Sequence, residues 1–305
     1  MNAPRAYLYK LPLAGGGFRE GMLLRDGERW GDAAPLPGWS RETLNDVRIS
    51  LGRGEDLVPA SLRCALEALE EDWTPLRNEV PLNALLDGNE TQVLAGALRA
   101  FREGCRYLKI KTLGVDLARL PDLLSDITRE TGGECQLRLD PNRAWSFDET
   151  LLLADKLSQF PIEYLEEPLS DSSRLPELIS RSACPIALDE TLCEIEPAGL
   201  TQFHGAAALV LKPTLMGGFA RSREYATEGE KLGMASVVSA AYESGVGIHA
   251  LGRFAASLPR ISSVGLDTYS RLEADVLMQG LDLSGFVFRA NQPLPAIDES
   301  RLVLL

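Results

Sequence analysis

Eight short apolar runs recur from about residue 80 onwards, and this repeat limits the possible folds more than any other feature of the chain. Each run ends in polar residues, and stretches of helical periodicity lie between the runs. Consecutive runs are roughly 23 to 29 residues apart, a spacing typical of strands that alternate with helices in a parallel sheet. Eight such runs favour a closed barrel over an open sheet. The runs are Val80–Leu86, Tyr107–Thr112, Cys135–Asn142, Ile162–Pro168, Pro185–Thr191, Ala207–Pro213, Ala235–Ala241 and Val264–Thr268.

The first 79 residues have a different pattern, which predicts a small α+β unit. Prolines and a glycine mark a loop at 34–40, and Ser40 is a suitable N-cap for a following helix. We therefore predict an α/β chain with two domains, an α+β domain at 1–79 and a TIM-like β/α barrel at 80–287. The tail, 288–305, ends in a strand-like segment and is predicted to return to the small domain. The predicted strands of that domain are Tyr7–Leu13, Gly21–Arg25 and Glu28–Asp32, and its second helix runs from Ala60 to Glu71.

Three acidic residues, Asp140, Glu166 and Asp189, stand at the ends of three successive predicted strands. The carboxyl ends of barrel strands meet at one mouth, and three carboxylates so close together repel one another unless a cation lies between them. Oxygen ligands favour Mg²⁺, with Mn²⁺ possible, over zinc or copper. We prefer Glu166 to Glu167 because it shares strand parity with Tyr164. The alternative is that each acid only caps the helix that follows it.

Two lysines, Lys111 and Lys212, end the strands before and after the three acids and are predicted to be the catalytic residues. A lysine in a partly dry pocket beside a divalent cation has a lowered pKa, which makes it a usable base. The alternative is a lysine on an exposed strand, which Lys109 fits better than Lys212. Neighbouring polar residues at the same strand ends are predicted to bind substrate: Lys109, Arg138, Asn142, Ser239, Glu243, Ser244 and Gly245.

Two loops of the small domain are candidates for a lid that excludes water from the site. One is the glycine-rich turn that contains Gly17 and Arg19, and the other is the loop that contains Pro37 and Gly38. The alternative is that both loops only join strands.

The formal net charge of −13 over 305 residues disfavours nucleic acid and anionic membranes as partners. The five cysteines form no CxxC pair, so neither a disulfide framework nor a zinc site is predicted. No signal peptide or membrane-spanning run is recognisable. We expect a cytoplasmic protein that acts on a small carboxylate, and the sequence leaves monomer and homo-oligomer open.

The motifs at these positions resemble the enolase superfamily and, within it, the family of o-succinylbenzoate synthases. The resemblance covers nearly the whole chain. It implies a capping domain on a (β/α)7β barrel, Mg²⁺ bound by Asp140, Glu166 and Asp189, Lys111 as general base and acid, and Lys212 stabilising the opposite face. The motifs are Trp30–Thr43, Lys109–Lys111, Arg138–Trp145, Tyr164–Pro168, Leu188–Glu190, Leu211–Leu215, Glu243–Gly245 and Gly265–Thr268.

The implied reaction is the syn dehydration of 2-succinyl-6-hydroxy-2,4-cyclohexadiene-1-carboxylate to 2-succinylbenzoate in menaquinone biosynthesis. One departure concerns Ser239–Gly245, which lacks the serine-rich stretch that relatives often carry and leaves the side-chain contribution to succinyl binding open. An N-succinylamino-acid racemase or a dipeptide epimerase of the same subgroup needs the same five residues. A Schiff-base aldolase and a non-catalytic barrel are the alternatives from other classes.

Overall fold

A computed structural model describes residues 4–53 and 58–305, so residues 1–3 and 54–57 of the predicted small domain lie outside it. The small domain begins with an antiparallel meander, as predicted, with a tight turn at Asp26-Gly27 in which Gly27 has a φ of +59°. Two helices pack on this sheet and bury its inner face. The elements are strands β1 (Arg5–Pro12), β2 (Phe18–Asp26) and β3 (Arg29–Ala33) and helices α1 (Leu44–Arg53) and α2 (Ala60–Glu70).

Helix α1 begins three residues later than predicted, at Leu44, since an N-cap at Ser40 would make residue 41 the first of the helix. The hydroxyl of Ser40 accepts a hydrogen bond from the backbone N–H of Leu36 at 2.8 Å, so it closes the preceding loop and does not cap the helix. Thr43 and Asp46 exchange backbone and side-chain hydrogen bonds instead, and the helix begins between them. The prediction found the right chemistry at the wrong residue.

The second part of the chain is a parallel sheet that curls into a barrel. Within the described residues, the strands pair side by side in sequence order, from β5 to β11. A short antiparallel pair, of β4 with β12, lies beside the barrel. The strands are β4 (Glu79–Pro81), β5 (Ala84–Leu86), β6 (Tyr107–Lys111), β7 (Gln136–Asp140), β8 (Ile162–Glu166), β9 (Ile186–Leu188), β10 (Ala208–Leu211), β11 (Ala235–Val238) and β12 (Val287–Arg289).

The eighth predicted strand is not a regular strand. Val264 and Gly265 instead form isolated parallel bridges, to Leu82 before β5 and to Ser239 after β11. This closing segment joins the two ends of the sheet and completes the barrel, so the predicted fold class is confirmed. Helices between the strands cover the outside: α3 (Glu90–Arg102), α4 (Leu120–Glu130), α5 (Phe147–Leu157), α6 (Leu175–Arg181), α7 (Pro213–Met216), α8 (Phe219–Lys231) and α9 (Gly245–Ala256).

Helix α9 lies between the barrel and the capping sheet, and this position explains its almost wholly apolar sequence. A Cβ atom at Gly247 would lie 2.9 Å from Oδ2 of Asp32 and 2.5 Å from Cβ of Glu243, so only glycine allows this close approach. The last strand, β13 (Leu302–Leu304), pairs antiparallel with β1 and gives the capping sheet the order β13-β1-β2-β3. The described helices include none long and apolar enough to cross a membrane.

Candidate active site

The three predicted acids lie at the same end of three adjacent strands. Asp140 and Glu166 are the last residues of β7 and β8, and Asp189 follows β9 directly. All three are buried, with at most 4% of each residue exposed. Lys111 ends β6, and Lys212 follows β10, so the acid-bearing strands lie between the two lysines.

Ammonium groups contact the carboxylates directly. Nζ of Lys109 lies 2.8 Å from Oδ2 of Asp140 and 2.6 Å from Oε1 of Glu166. Nζ of Lys111 lies 2.5 Å from the same Asp140 oxygen and donates to Oδ1 of Asn142 at 3.0 Å. Lys212 forms an ion pair with Asp189. The site is thus a buried cluster of three acids and three lysines.

Burial and charge act against each other in this cluster. Burial alone would raise the pKa of Asp140, but the charges of Lys109 and Lys111 hold it well below its usual range. Burial and the charge of Asp140 raise the pKa of Glu166 to about 7. Burial would lower the pKa of Lys212, but the charge of Asp189 outweighs it and raises the pKa above its ordinary value. The contact with the Asp189 carboxylate therefore raises the pKa of Lys212, whereas the sequence predicted a lowered pKa.

A divalent cation fits the donor set but not the present side-chain arrangement. The donors are all carboxylates, which Mg²⁺ and Mn²⁺ favour. Oε2 of Glu166 is buried and has no hydrogen-bond partner in the described structure, which leaves one oxygen free to bind an ion. However, no three His, Cys, Asp or Glu side chains of residues 4–53 and 58–305 are spaced to hold a metal. The lysine ammonium groups occupy that role here.

The cluster faces a cavity of about 210 Å³ at the barrel mouth. Of the predicted residues, Lys109, Lys111, Asn142, Lys212 and Ser239 line it. Leu36 and Trp39 lie in the loop that was predicted as a lid, whereas Asn83 and Leu85 were missed, although strand parity places both on the inner face and could have found them. The lining residues that were not named individually as site residues are Leu36, Trp39, Asn83, Leu85, Leu215, Ala240, Ala241, Tyr242, Gly265, Asp267 and Thr268.

Four predicted substrate-binding residues lie outside the cavity wall. Arg138 is fully buried in the barrel interior. Glu243 accepts hydrogen bonds from Thr214 and from the N–H of Ala241. Ser244 donates to Asp32 of the capping sheet, and the N–H of Gly245 donates to Asp275. The last three therefore secure the loop that lines the cavity, and substrate contact for them stays a prediction.

The two predicted lid loops differ in position. Pro37 and Gly38 lie between Leu36 and Trp39, which line the cavity. Gly17 lies in a turn that is bound to the barrel through the Ala14 N–H and the Arg271 carbonyl, away from the cavity wall. Arg19 is buried, and its guanidinium donates to the carbonyls of Ala34, Pro35 and Tyr242, which ties the capping loop to the barrel loop.

Glu167 is a structural residue, as expected from its parity. Its φ of +33° turns the chain at the end of β8, and its buried carboxylate accepts from the N–H groups of Asp189 and Thr191. Arg143 forms an ion pair with it. These contacts fix the backbone that carries Asp189.

Comparisons with known proteins agree with this geometry. The family model described as "Enolase C-terminal domain-like" matches residues 92–293. The chain is 31% identical to an o-succinylbenzoate synthase of Yersinia enterocolitica, over 92% of this chain and 95% of that protein. It is 29% identical to that of Haemophilus influenzae, over 85% of each.

Solved structures show the same fold at lower identity. A muconate lactonizing enzyme from Pseudomonas fluorescens has a TM-score of 0.84 at 17% identity, with 98% of this chain and 96% of that chain covered. The L-Ala-D/L-Glu epimerase from Bacillus subtilis has a TM-score of 0.79 at 21% identity, with 96% and 95% covered. The chain therefore belongs to the enolase superfamily and, within it, to the sequence family that includes the o-succinylbenzoate synthases.

Proposed function

We propose that this enzyme is an o-succinylbenzoate synthase, which removes water from 2-succinyl-6-hydroxy-2,4-cyclohexadiene-1-carboxylate to give 2-succinylbenzoate for menaquinone biosynthesis. One observation carries the proposal: Lys111 and Lys212 face one cavity from either side of a buried carboxylate cluster. The similarity to o-succinylbenzoate synthases over most of both chains supports the choice of substrate.

In the proposed mechanism, Asp140, Glu166 and Asp189 would hold Mg²⁺, or Mn²⁺ in its place. The bound ion would supply positive charge that neutralises the substrate carboxylate. Leu36, Trp39, Leu85 and Leu215 provide apolar wall for the ring and limit the access of water.

Lys111 acts as base and then as acid. Its neutral amine takes the proton from the ring carbon that bears the carboxylate. The electron pair of the broken C–H bond becomes a ring double bond as the C–O bond of the hydroxyl breaks. The Lys111 ammonium returns the proton to the departing oxygen, so that water leaves from the same face. The charged Lys212 stabilises negative charge from the opposite face, and Asn142 orients the Lys111 amine through its 3.0 Å hydrogen bond.

Ultraviolet spectroscopy of the cyclohexadiene substrate tests this proposal. We expect its absorbance to decay with enzyme and Mg²⁺, to persist with EDTA, and to decay again when Mg²⁺ is restored. Decay that EDTA does not affect would contradict the metal ligands. A stable substrate together with racemisation of an N-succinylamino acid would identify the racemase. Borohydride trapping of a lysine with a carbonyl substrate would identify an aldolase.

A further inference from the structure

Opposite the acid-bearing side, the cavity wall includes neutral polar groups, and the Asp267 carboxylate on that side accepts a hydrogen bond from the Leu85 N–H. Strands β7, β8 and β9 carry the acids, whereas Ser239 after β11, Gly265 of the closing segment and Asn83 before β5 line the other side. Strands β6 and β10 separate the two sides around the closed sheet. The cavity is thus built for a molecule with a carboxylate at one end and different chemistry at the other.

The amide oxygen of Asn83 and the hydroxyl of Ser239 border a common space beside Gly265. A Cβ atom at Gly265 would lie 2.8 Å from Oγ of Ser239 and 3.6 Å from Oδ1 of Asn83. Glycine at this position therefore keeps open the space between the two side chains. Both residues are nearly buried, although both reach the cavity wall.

Arg138 determines how the Asn83 amide points. Its Nη1 donates to Oδ1 of Asn83 at 2.9 Å and to the carbonyl of Ser263 at 3.0 Å. A guanidinium has only donors, so the amide oxygen must face it and the amide Nδ2 must occupy the other branch of the planar group. In the part of the chain that the structure describes, this Nδ2 has no hydrogen-bond partner, and because Asn83 lines the cavity, its donor capacity is available there.

The guanidinium itself is held on every side. Nε and Nη2 donate to the two carboxylate oxygens of Glu163 at 2.7 and 3.3 Å, and Nη2 also donates to Oγ of Ser262. The ring of Tyr164 lies 5.0 Å from its Cζ. Because all five N–H groups have partners, a rotation of Arg138 or a flip of the Asn83 amide would leave buried polar groups unpaired.

We infer that Nδ2 of Asn83 donates a hydrogen bond to an oxygen atom in the tail of the substrate, opposite the carboxylate cluster, and that Arg138 is the positioning residue that fixes this donor. The inference rests on the proposed function for the identity of the tail, which is the succinyl group. Oγ of Ser239 provides a second donor for the same tail. A site that pairs its buried donors with substrate oxygens rejects analogues that lack them.

Calorimetry with two ligands tests the inference on the Mg²⁺-loaded enzyme without turnover. One ligand is 2-succinylbenzoate, and the other is 2-pentylbenzoate, whose tail has similar length and no oxygen. We expect the unmodified enzyme to bind 2-succinylbenzoate at least about tenfold more tightly. Equal binding of the two ligands, or binding of neither, would overturn the inference.

Two variants locate the preference at Asn83. Asn83→Asp keeps the acceptor for Arg138 but replaces the donor with a charged oxygen, and Asn83→Ala removes the donor without adding charge. Both variants are expected to bind 2-succinylbenzoate about tenfold or more weakly than the unmodified enzyme, and to bind 2-pentylbenzoate with an affinity within about twofold of it. The exposed Asn78→Asp is the matched control and should change neither affinity. If only Asn83→Asp bound 2-succinylbenzoate more weakly, charge repulsion would explain the effect. If a variant lost affinity for both ligands equally, the site would have collapsed. Either result overturns the inference.

The dehydration assay separates this inference from the proposed function. If the unmodified enzyme does not dehydrate the cyclohexadiene but the ligand preference depends on Asn83, the proposed function fails and the donor assignment stands. If dehydration proceeds and the preference is unchanged in both variants, the donor assignment fails and the proposed function stands.

Discussion

Two groups of buried carboxylates lie close to the boundary between barrel and capping domain, and their partners differ. In the barrel mouth, Asp140, Glu166 and Asp189 contact lysine ammonium groups. Between the barrel and the capping sheet, Asp32 and Glu243 contact neutral donors. We call the first group the mouth cluster and the second the interface pair.

The two carboxylates of the interface pair accept hydrogen bonds from hydroxyl and backbone N–H groups of the protein, which stay in place. Asp32 accepts from the Tyr9 hydroxyl at 2.9 Å and from the Ser244 N–H and hydroxyl at 2.9 and 2.7 Å. The Thr214 hydroxyl and the Ala241 N–H, both at 2.6 Å, donate to Glu243. Such contacts fix the loop that carries Ser239 against the capping domain. Under the proposed function, the ammonium groups of the mouth cluster give way to a divalent ion or a substrate, so the same residue type would serve chemistry there and docking here.

The largest expected effect is loss of turnover when either of the two lysines proposed as catalytic is removed from the mouth cluster. Lys111→Ala and Lys212→Ala should each lower kcat by roughly 10³-fold or more, because proton transfer and charge stabilisation both depend on them. Steady-state kinetics with circular dichroism checks activity and folding together. Lys10→Ala, whose ion pair with Glu20 lies at the surface, is the control. A folded variant with near-native kcat would remove that lysine from the mechanism.

The next effect concerns metal affinity, which only the mouth cluster should affect. Asp189→Asn removes one charged donor and should weaken Mg²⁺ binding by about 100-fold. Titration calorimetry measures this affinity directly. Glu196→Gln removes a surface carboxylate that pairs with Arg221 and should leave the affinity unchanged. Unaltered affinity in Asp189→Asn would count against Asp189 as a ligand.

The sequence revealed the mouth cluster because a simple rule applies to it. Residues at the carboxyl ends of parallel strands converge, so spacing alone brought Asp140, Glu166 and Asp189 together. The chosen parity also separated Glu166 from the structural Glu167. The regular spacing of the apolar runs likewise indicated the barrel, although it could not show that Val264 and Gly265 close the barrel through isolated bridges.

No comparable rule covers the interface pair. Glu243 and Ser244 follow a strand end, so the same reasoning assigned them to substrate. In the structure Glu243 accepts from Thr214 of the barrel, and Ser244 donates to Asp32 of the capping sheet. Asp32, the partner of Ser244, is more than 200 residues away in sequence, and neither periodicity nor spacing reports such contacts. Arg19 was predicted as a lid residue because it lies in the glycine-rich turn. Its burial could not be predicted, because an arginine that donates to backbone carbonyls has no local signature.

Arg19 offers a third test, directed at the interface. Arg19→Met would leave the carbonyls of Ala34, Pro35 and Tyr242 without their donor. We expect KM to rise by about tenfold with little change in kcat, because the two loops that border the cavity lose their common tie. Arg25→Met, on the same strand and paired with Glu299 at the surface, is the control. A fall in kcat at constant KM would place Arg19 in the chemistry instead.

The smallest effect is a pH dependence specific to the interface pair. Burial raises the pKa of Asp32 from 3.8 to about 6, so the folded state binds this proton more tightly than the unfolded chain does. The stability that the proton contributes is fully present below about pH 4 and is lost as the pH rises through about 6. Asp32→Asn carries no charge at any pH and keeps an acceptor for Ser244.

Denaturant unfolding of both proteins at about pH 5 and about pH 7 measures this contribution. Between these values, the free energy of unfolding of the unmodified protein should fall by about 1 kcal/mol relative to Asp32→Asn. The comparison cancels the titration of the mouth cluster, because both proteins retain it. If the free energies of unfolding of the two proteins changed with pH in parallel, the hydrogen bonds from Tyr9 and Ser244 would fully offset the effect of burial on the pKa of Asp32. The two carboxylate groups would then differ only in whether their partners can be replaced by an ion or a substrate.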